Sequence, residues 1–420
     1  MKQSVVIGHV APEKRRLAWP DVAKGLSILD VVLLHVTLVV PDARLMEPLA
    51  VTNDFFLPLR MPLFFLVSGY FSVKVLRQSL SQLFLKRLWF FLIPYLFWVP
   101  AQLFARNYNY HIAAAEPLIT WSAVWDATLR AHNMGWFLYA LAAFNIALWF
   151  LKFLPRPLAI ALSIVVPLGF LPRYEDFHMI AKMLMYLPIF LFGALYRDVI
   201  TRYVQRLTRI HKSWHGLVYV GIASLLYVTG LQLRQWWDGL EGLQTMQWPL
   251  PNADHLVDVE LLVLIKTLQQ FLSLPMAIAF VLLLSLIKPL SAFLQFLGRN
   301  TLPIYLSHPI ALSLLLGVPK FHLGAEVVQG GAWPLESPLF WVLWGVGACT
   351  IGSFLLWAIG KLPVLGWVLT PPRLVALEDH ADGTQEKRVQ RKKIRHAARR
   401  AAQHARHRLD SKFEDNAIRI

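Results

Sequence analysis

Charge is what this chain is short of: only 16% of its 420 residues are Asp, Glu, Lys or Arg. Soluble domains carry about a quarter, so a water-soluble globule is excluded. Cysteine is nearly absent too. The single Cys349 excludes an intramolecular disulfide and a cysteine metal cluster. The net charge of +16 comes with no nucleic-acid motif, so nucleic acid is not an expected partner, and no metal or permanently bound cofactor is expected. Nor is a cleavable signal peptide. The first twenty residues are polar or basic, with Lys14, Arg15 and Arg16, and lead straight into a full-length apolar segment.

Apolar residues take the place of the missing charge, making up 56% of the chain with a mean hydropathy of +0.49. Apolar runs long enough to cross a bilayer recur along most of its length. The expected fold is all-α, a polytopic transmembrane bundle of ten spans near 21–41, 55–73, 84–105, 135–152, 157–171, 178–196, 214–231, 259–287, 300–317 and 337–361. Segment 157–171 is short and holds Pro157 and Pro167, so a re-entrant loop is the other reading. Basic residues collect on alternate connections, Lys74 to Arg87, Lys152 to Arg156, Arg197 to Lys212 and Lys288 to Arg299, which puts both termini in the cytoplasm. Three parts follow: a cytoplasmic segment 1–20, a membrane domain 21–361 and a basic cytoplasmic tail 362–420. Within the tail, Glu386 to Leu409 reads as a basic helix on the anionic inner leaflet or as a disordered extension. Trp121, Trp125, Trp236, Trp237 and Trp248 in the outer loops form an interfacial belt, or else platforms for sugar rings.

Ionisable residues at membrane depth are functional candidates by default. Lys24 and His35 stand eleven residues apart in the first span, so they align on one face about 16 Å apart along the axis. Asp21 lies near the same line. A lone histidine on an apolar face is more often a packing residue, but its depth and the aligned Lys24 favour chemistry, with neutral imidazole as a general base. Asp30 points about 140° away from His35 by helical periodicity. A pair with Lys182 or Lys266 is the bland reading, and a proton relay the livelier one. In Met61–Phe71, Gly69 permits close helix packing and Ser68 can hydrogen-bond a ligand. Lys86 and Arg87 precede the third span, where the guanidinium fork suits phosphate. Near the other end, Gly298 marks a turn, Asn300 or Thr301 caps the following helix, and Tyr305 and His308 share a face at i, i+3.

Taken in order, Lys24-x10-His35, Phe64-Phe65-Leu66-Val67-Ser68-Gly69, Arg87 ahead of Pro94-Tyr95, Trp136-Phe137-Leu138 and Gly298-Arg299-Asn300-Thr301…Tyr305…His308 resemble the acyltransferase-3 family of integral membrane acyltransferases. The resemblance implies transfer of an acyl group, usually acetyl, from cytoplasmic acyl-CoA to a hydroxyl of an envelope glycan or glycolipid, in a bacterial cytoplasmic membrane. It gives His35 the part of the essential histidine. Lys24 takes that of the basic residue eleven positions earlier, often arginine in relatives. Arg87 matches the basic site of the third helix, although Phe84 stands where many relatives have a second arginine, and Asp30 replaces a usually apolar residue. With CoA phosphates on Lys24, Lys86, Arg87 and Arg299, the pantetheine arm would bring the thioester to His35 as general base or acyl carrier. Asp21, Ser68, Trp136, Asn300, Tyr305 and His308 would support the site. The expected partners are the bilayer, acyl-CoA and the glycan or glycolipid acceptor. A transporter or flippase with a charged midplane path is the alternative, served by Asp30, Lys182 and Lys266, though the two halves of the chain lack the similarity many transporters show.

Overall fold

A computed structural model describes residues 17–40, 47–166, 179–180, 182–239, 257–323, 333–372 and 374. Among the described residues every regular element is helical. Trp248, the outer connection near 172–177 and the tail segment Glu386 to Leu409 lie outside them.

Among the described residues, seven helices are long and apolar enough to cross a membrane: Trp19–Val39, Phe55–Arg77, Leu80–Ala114, Trp214–Trp237, Val263–Leu286, Thr301–Leu323 and Pro338–Ile359. The pair Lys182–Leu195 and Arg197–Ile210 makes an eighth candidate, bent by 74°. Trp136–Leu151 and Arg156–Val165 are shorter apolar helices at the remaining two expected places. The main elements are α1 (Trp19–Val39), α2 (Glu47–Ser72), α3 (Trp89–Ala114), α4 (Trp121–Leu129), α5 (Trp136–Leu151), α6 (Arg156–Val165), α7 (Leu187–Leu195), α8 (Arg197–Ile210), α9 (Trp214–Asp238), α10 (Val257–Leu286), α11 (Lys288–Arg299), α12 (Thr301–Ala311) and α13 (Pro338–Ile359).

The outside of the bundle is apolar. Leu217 and Leu225 on α9 are 74% and 66% exposed, and Leu343 and Phe354 on α13 are 63% exposed. A soluble protein does not leave such belts in water; in a bilayer they face lipid. Trp121, Trp125 and Trp236 are exposed as well. Helices α8 and α11 are short and amphipathic. Ile200, Val204 and Leu207, or Ser291, Leu294 and Gly298, face inward, while Arg202 and Arg299 stand out.

Two glycine contacts set the helix spacing around the site. A Cβ on Gly25 would run into the Leu294 carbonyl, and one on Gly298 into the Asp21 carbonyl, so α1 and α11 touch backbone to backbone. Gly298 therefore serves close approach, and the expected turn falls after it at Asn300, between α11 and α12. Gly69 of α2 meets the Phe190 carbonyl of α7 in the same way, as expected of a packing glycine. Asn300 also departs from its expected role. It sits at the start of α12, but its Nδ2 donates back to the Phe296 carbonyl at 2.8 Å and closes α11 instead.

Candidate active site

Helix α1 runs unbroken through Lys24, Asp30 and His35. Pro20 lies in its first turn, where the missing N–H has no helical partner to lose. The spacing from Lys24 to His35 is therefore a real helical distance, about 16 Å of rise. Two contacts fix its register against antiparallel α2. Lys24 Nζ lies 4.9 Å from the Phe71 ring centroid, and Arg60 Nε is 2.5 Å from Asp30 Oδ2. This sets His35 level with about residues 55 to 60 of α2.

Asp30 pairs with neither Lys182 nor Lys266, contrary to expectation. Both oxygens accept from Arg60, whose Nη2 lies 3.2 Å from Oδ1, and both side chains are 5% exposed. The planar fork of arginine closes both lone-pair sets of the carboxylate, which a lysine does not. Arg60 was the overlooked partner, although its signal, an ionisable residue inside the second span, was there to read.

His35 meets His308 across the bundle. His35 Nδ1 and His308 Nε2 are 2.9 Å apart, and the rings stack with centroids 5.0 Å apart and 9° between planes. The chain beyond His308 assigns the protons. His308 Nδ1 lies 3.1 Å from the Ile304 carbonyl, which can only accept, so Nδ1 carries the hydrogen. Neutral His308 then offers its Nε2 lone pair, His35 Nδ1 donates to it, and neutral His35 is left with a lone pair on Nε2. His308 is fully buried, and the Cys349 thiol donates weakly to its carbonyl at 3.9 Å.

Tyr305 joins this pair to the rest of the site, its ring 5.9 Å from that of His308 and 5.5 Å from that of Phe137. Its hydroxyl donates to the Met134 carbonyl and accepts from Phe137 N at 3.0 Å. The one O–H is thus committed to the loop before α5.

A cavity of about 370 Å³ opens where α1, α3 and α12 begin and α2 ends. Lys24, Ser68, Arg87, Thr301 and Tyr305 line it. Arg87 stands in a π-turn, Phe84–Leu88, that leads into α3. It donates to Ser72 Oγ at 2.9 Å and to the Phe71 carbonyl, which leaves N–H groups of its five for a ligand. Asn145, which drew no notice in the sequence, is fully buried in the wall. Its Nδ2 donates to the Leu141 carbonyl at 2.7 Å, while Oδ1 has no hydrogen-bond partner among the described residues. Lys86 and Arg299 do not line this cavity. Arg299 bonds Asp21 at 3.4 Å and Gln295 at 3.1 Å, so the buried Asp21 ties α1 to α11.

Nor is His35 in that lining. An aromatic wall separates the levels: Phe65 lies 4.9 Å from Phe137 and 6.0 Å from Trp136, and stacks on Tyr186 at 5.2 Å. Behind the wall is a second cavity of about 640 Å³, and Trp136, Lys182 and Lys266 line it. Ser68 borders the first cavity and Pro62 the second, a separation of about 9 Å along α2. The two cavities thus follow one another along α2, the first bordered by Phe64 to Ser72 and the second by Leu57 and Pro62.

No curated protein and no solved structure matches the chain. A family model described as an acyltransferase domain matches residues 17–358, nearly the whole of it. The chain is a multi-pass membrane protein that belongs to the acyltransferase-3 family.

Proposed function

We propose that this membrane acyltransferase takes an acyl group, acetyl in the first instance, from cytoplasmic acyl-CoA and passes it to a hydroxyl of an envelope glycan or glycolipid, with His35 as general base. The hydrogen-bond chain Ile304–His308–His35 carries the reading. It leaves the His35 Nε2 lone pair as the atom able to accept a proton, and a buried partner holds the ring.

The donor belongs in the first cavity, with the N-terminus and the cavity mouth cytoplasmic. Lys24 and Arg87 suit the CoA phosphates, and Asn145 Oδ1 suits an amide N–H of the pantetheine arm. Arg299 and Lys86 remain at the basic rim, where they draw the anionic donor in through long-range attraction. The thioester passes Tyr305 toward the histidine pair as the acceptor hydroxyl approaches from the other end. The hydroxyl oxygen bonds to the carbonyl carbon and its proton moves to His35 Nε2. Collapse of the intermediate breaks the C–S bond, and the CoA thiolate takes that proton back. The products are an acyl ester and CoA thiol.

Substitution His35→Ala tests this. Transfer of labelled acetyl from acetyl-CoA to envelope material should fall at least a hundredfold in membranes holding equal amounts of folded protein. Undiminished transfer sinks the assignment.

A further inference from the structure

The second cavity has a chemistry of its own. Lys182, Arg234 and Lys266 bring three cations to it, from the segment before α7 and from α9 and α10. Gln269 and Gln270 are each 6% exposed and also line it. Gln269 Nε2 and Gln270 Oε1 have no hydrogen-bond partner among the described residues. A buried donor and a buried acceptor left open in one lining carry a desolvation penalty, and ligand hydroxyls, each both donor and acceptor, relieve them. The Trp136 and Tyr186 rings complete the lining, 6.0 Å apart and 26° from parallel. Such a flat aromatic face suits the C–H face of a sugar ring. The level along the bundle fits as well, although neither His35 nor His308 is in the lining. Leu57 and Pro62 of α2 border this cavity, and the helical register sets His35 at nearly the same height.

We infer that the second cavity is the acceptor site and that it takes a sugar headgroup bearing phosphate. The amides read hydroxyls, the aromatics hold the ring, and the three cations hold a dianionic phosphate group better than a single carboxylate would require. The inference rests on the acyl-transfer reading for its role, but phosphosugar recognition can be tested without catalysis.

The full chain in nanodiscs of phosphatidylcholine, titrated calorimetrically, supplies the test. Glucose 1-phosphate, decyl-phosphate-linked glucose, glucose and acetyl-CoA are the probes. The phosphorylated sugars should bind at least tenfold tighter than glucose, and Lys182→Gln should remove most of that advantage. Gln269→Leu deletes an unsatisfied amide, so the empty protein should melt no lower than wild type while phosphosugar affinity falls about tenfold or more. That pairing separates a ligand-binding role from a folding defect. Acetyl-CoA affinity should be unchanged in both variants. Tight binding of the decyl-linked form alone identifies a lipid headgroup, and equal binding identifies a free phosphosugar; either supports the site. Glucose binding as well as its phosphate, no binding of any sugar probe, or phosphosugar binding untouched by Lys182→Gln but displaced by acetyl-CoA overturns it. A wild-type protein that binds phosphosugar but not acetyl-CoA refutes the donor reading instead.

Discussion

Replacing His308 with phenylalanine isolates the histidine pair. The ring keeps its shape and its stacking on His35, now 5.0 Å between centroids and 9° from parallel, but the acceptor at 2.9 Å is lost. His35 Nδ1–H then has no partner, and the tautomer with the lone pair on Nε2 is no longer favoured. Leaving such a donor unsatisfied costs about 1–3 kcal/mol, which corresponds to roughly a 5- to 150-fold lower rate. His35→Ala removes the base itself and costs about 10² to 10⁴, so His308→Phe should fall between wild type and that variant. His308 does not line the first cavity, so the loss belongs in kcat, with the KM for acetyl-CoA within about twofold. His308→Gln, whose side-chain carbonyl can accept from His35, should recover part of the rate. Initial rates of acetyl transfer across a range of acetyl-CoA concentrations supply the assay, with a thermal midpoint for each variant as the folding control. Wild-type kcat in His308→Phe, or a loss confined to KM, would refute the relay.

Arg60→Met leaves the Asp30 carboxylate buried and unpaired, which should lower stability by about 3–5 kcal/mol; Asp30→Leu together with Arg60→Met should recover most of it, as read by denaturation in detergent. Gly25→Ala forces a Cβ into the Leu294 carbonyl and should cost about 1–3 kcal/mol. Gly347→Ala on α13 meets nothing within 4 Å and should leave the melting temperature unchanged or slightly higher. Arg87→Gln should raise the KM for acetyl-CoA about tenfold with little change in kcat, and Arg87→Lys should raise it less, because a point charge replaces only part of the fork.

The sequence by itself determined the class of the molecule and named several residues that the fold gathers around one cavity. Hydropathy is a sum over neighbours along the chain, so the helices appear where the apolar runs do. The eleven-residue spacing of Lys24 and His35 is likewise a local property of a single helix, and α1 keeps it. The segment order that carried the family resemblance is also written in one dimension, and the family match covers it. Lys24, Ser68, Arg87 and Tyr305, read from four separate segments, do line one cavity. Only the tertiary structure decided which residue answers which. Asp30 chose Arg60 over Lys182 and Lys266 because α1 and α2 pack antiparallel in one register, and helical periodicity gives a direction but no neighbour. Asn145, Gln269 and Gln270 are ordinary polar residues in apolar helices until burial strips their water and leaves atoms without a partner among the described residues. The partnership of His35 and His308, 273 residues apart, exists only where α1 and α12 meet. That contact assigns the protons, so it is the fold that gives a histidine at membrane depth a defined lone pair.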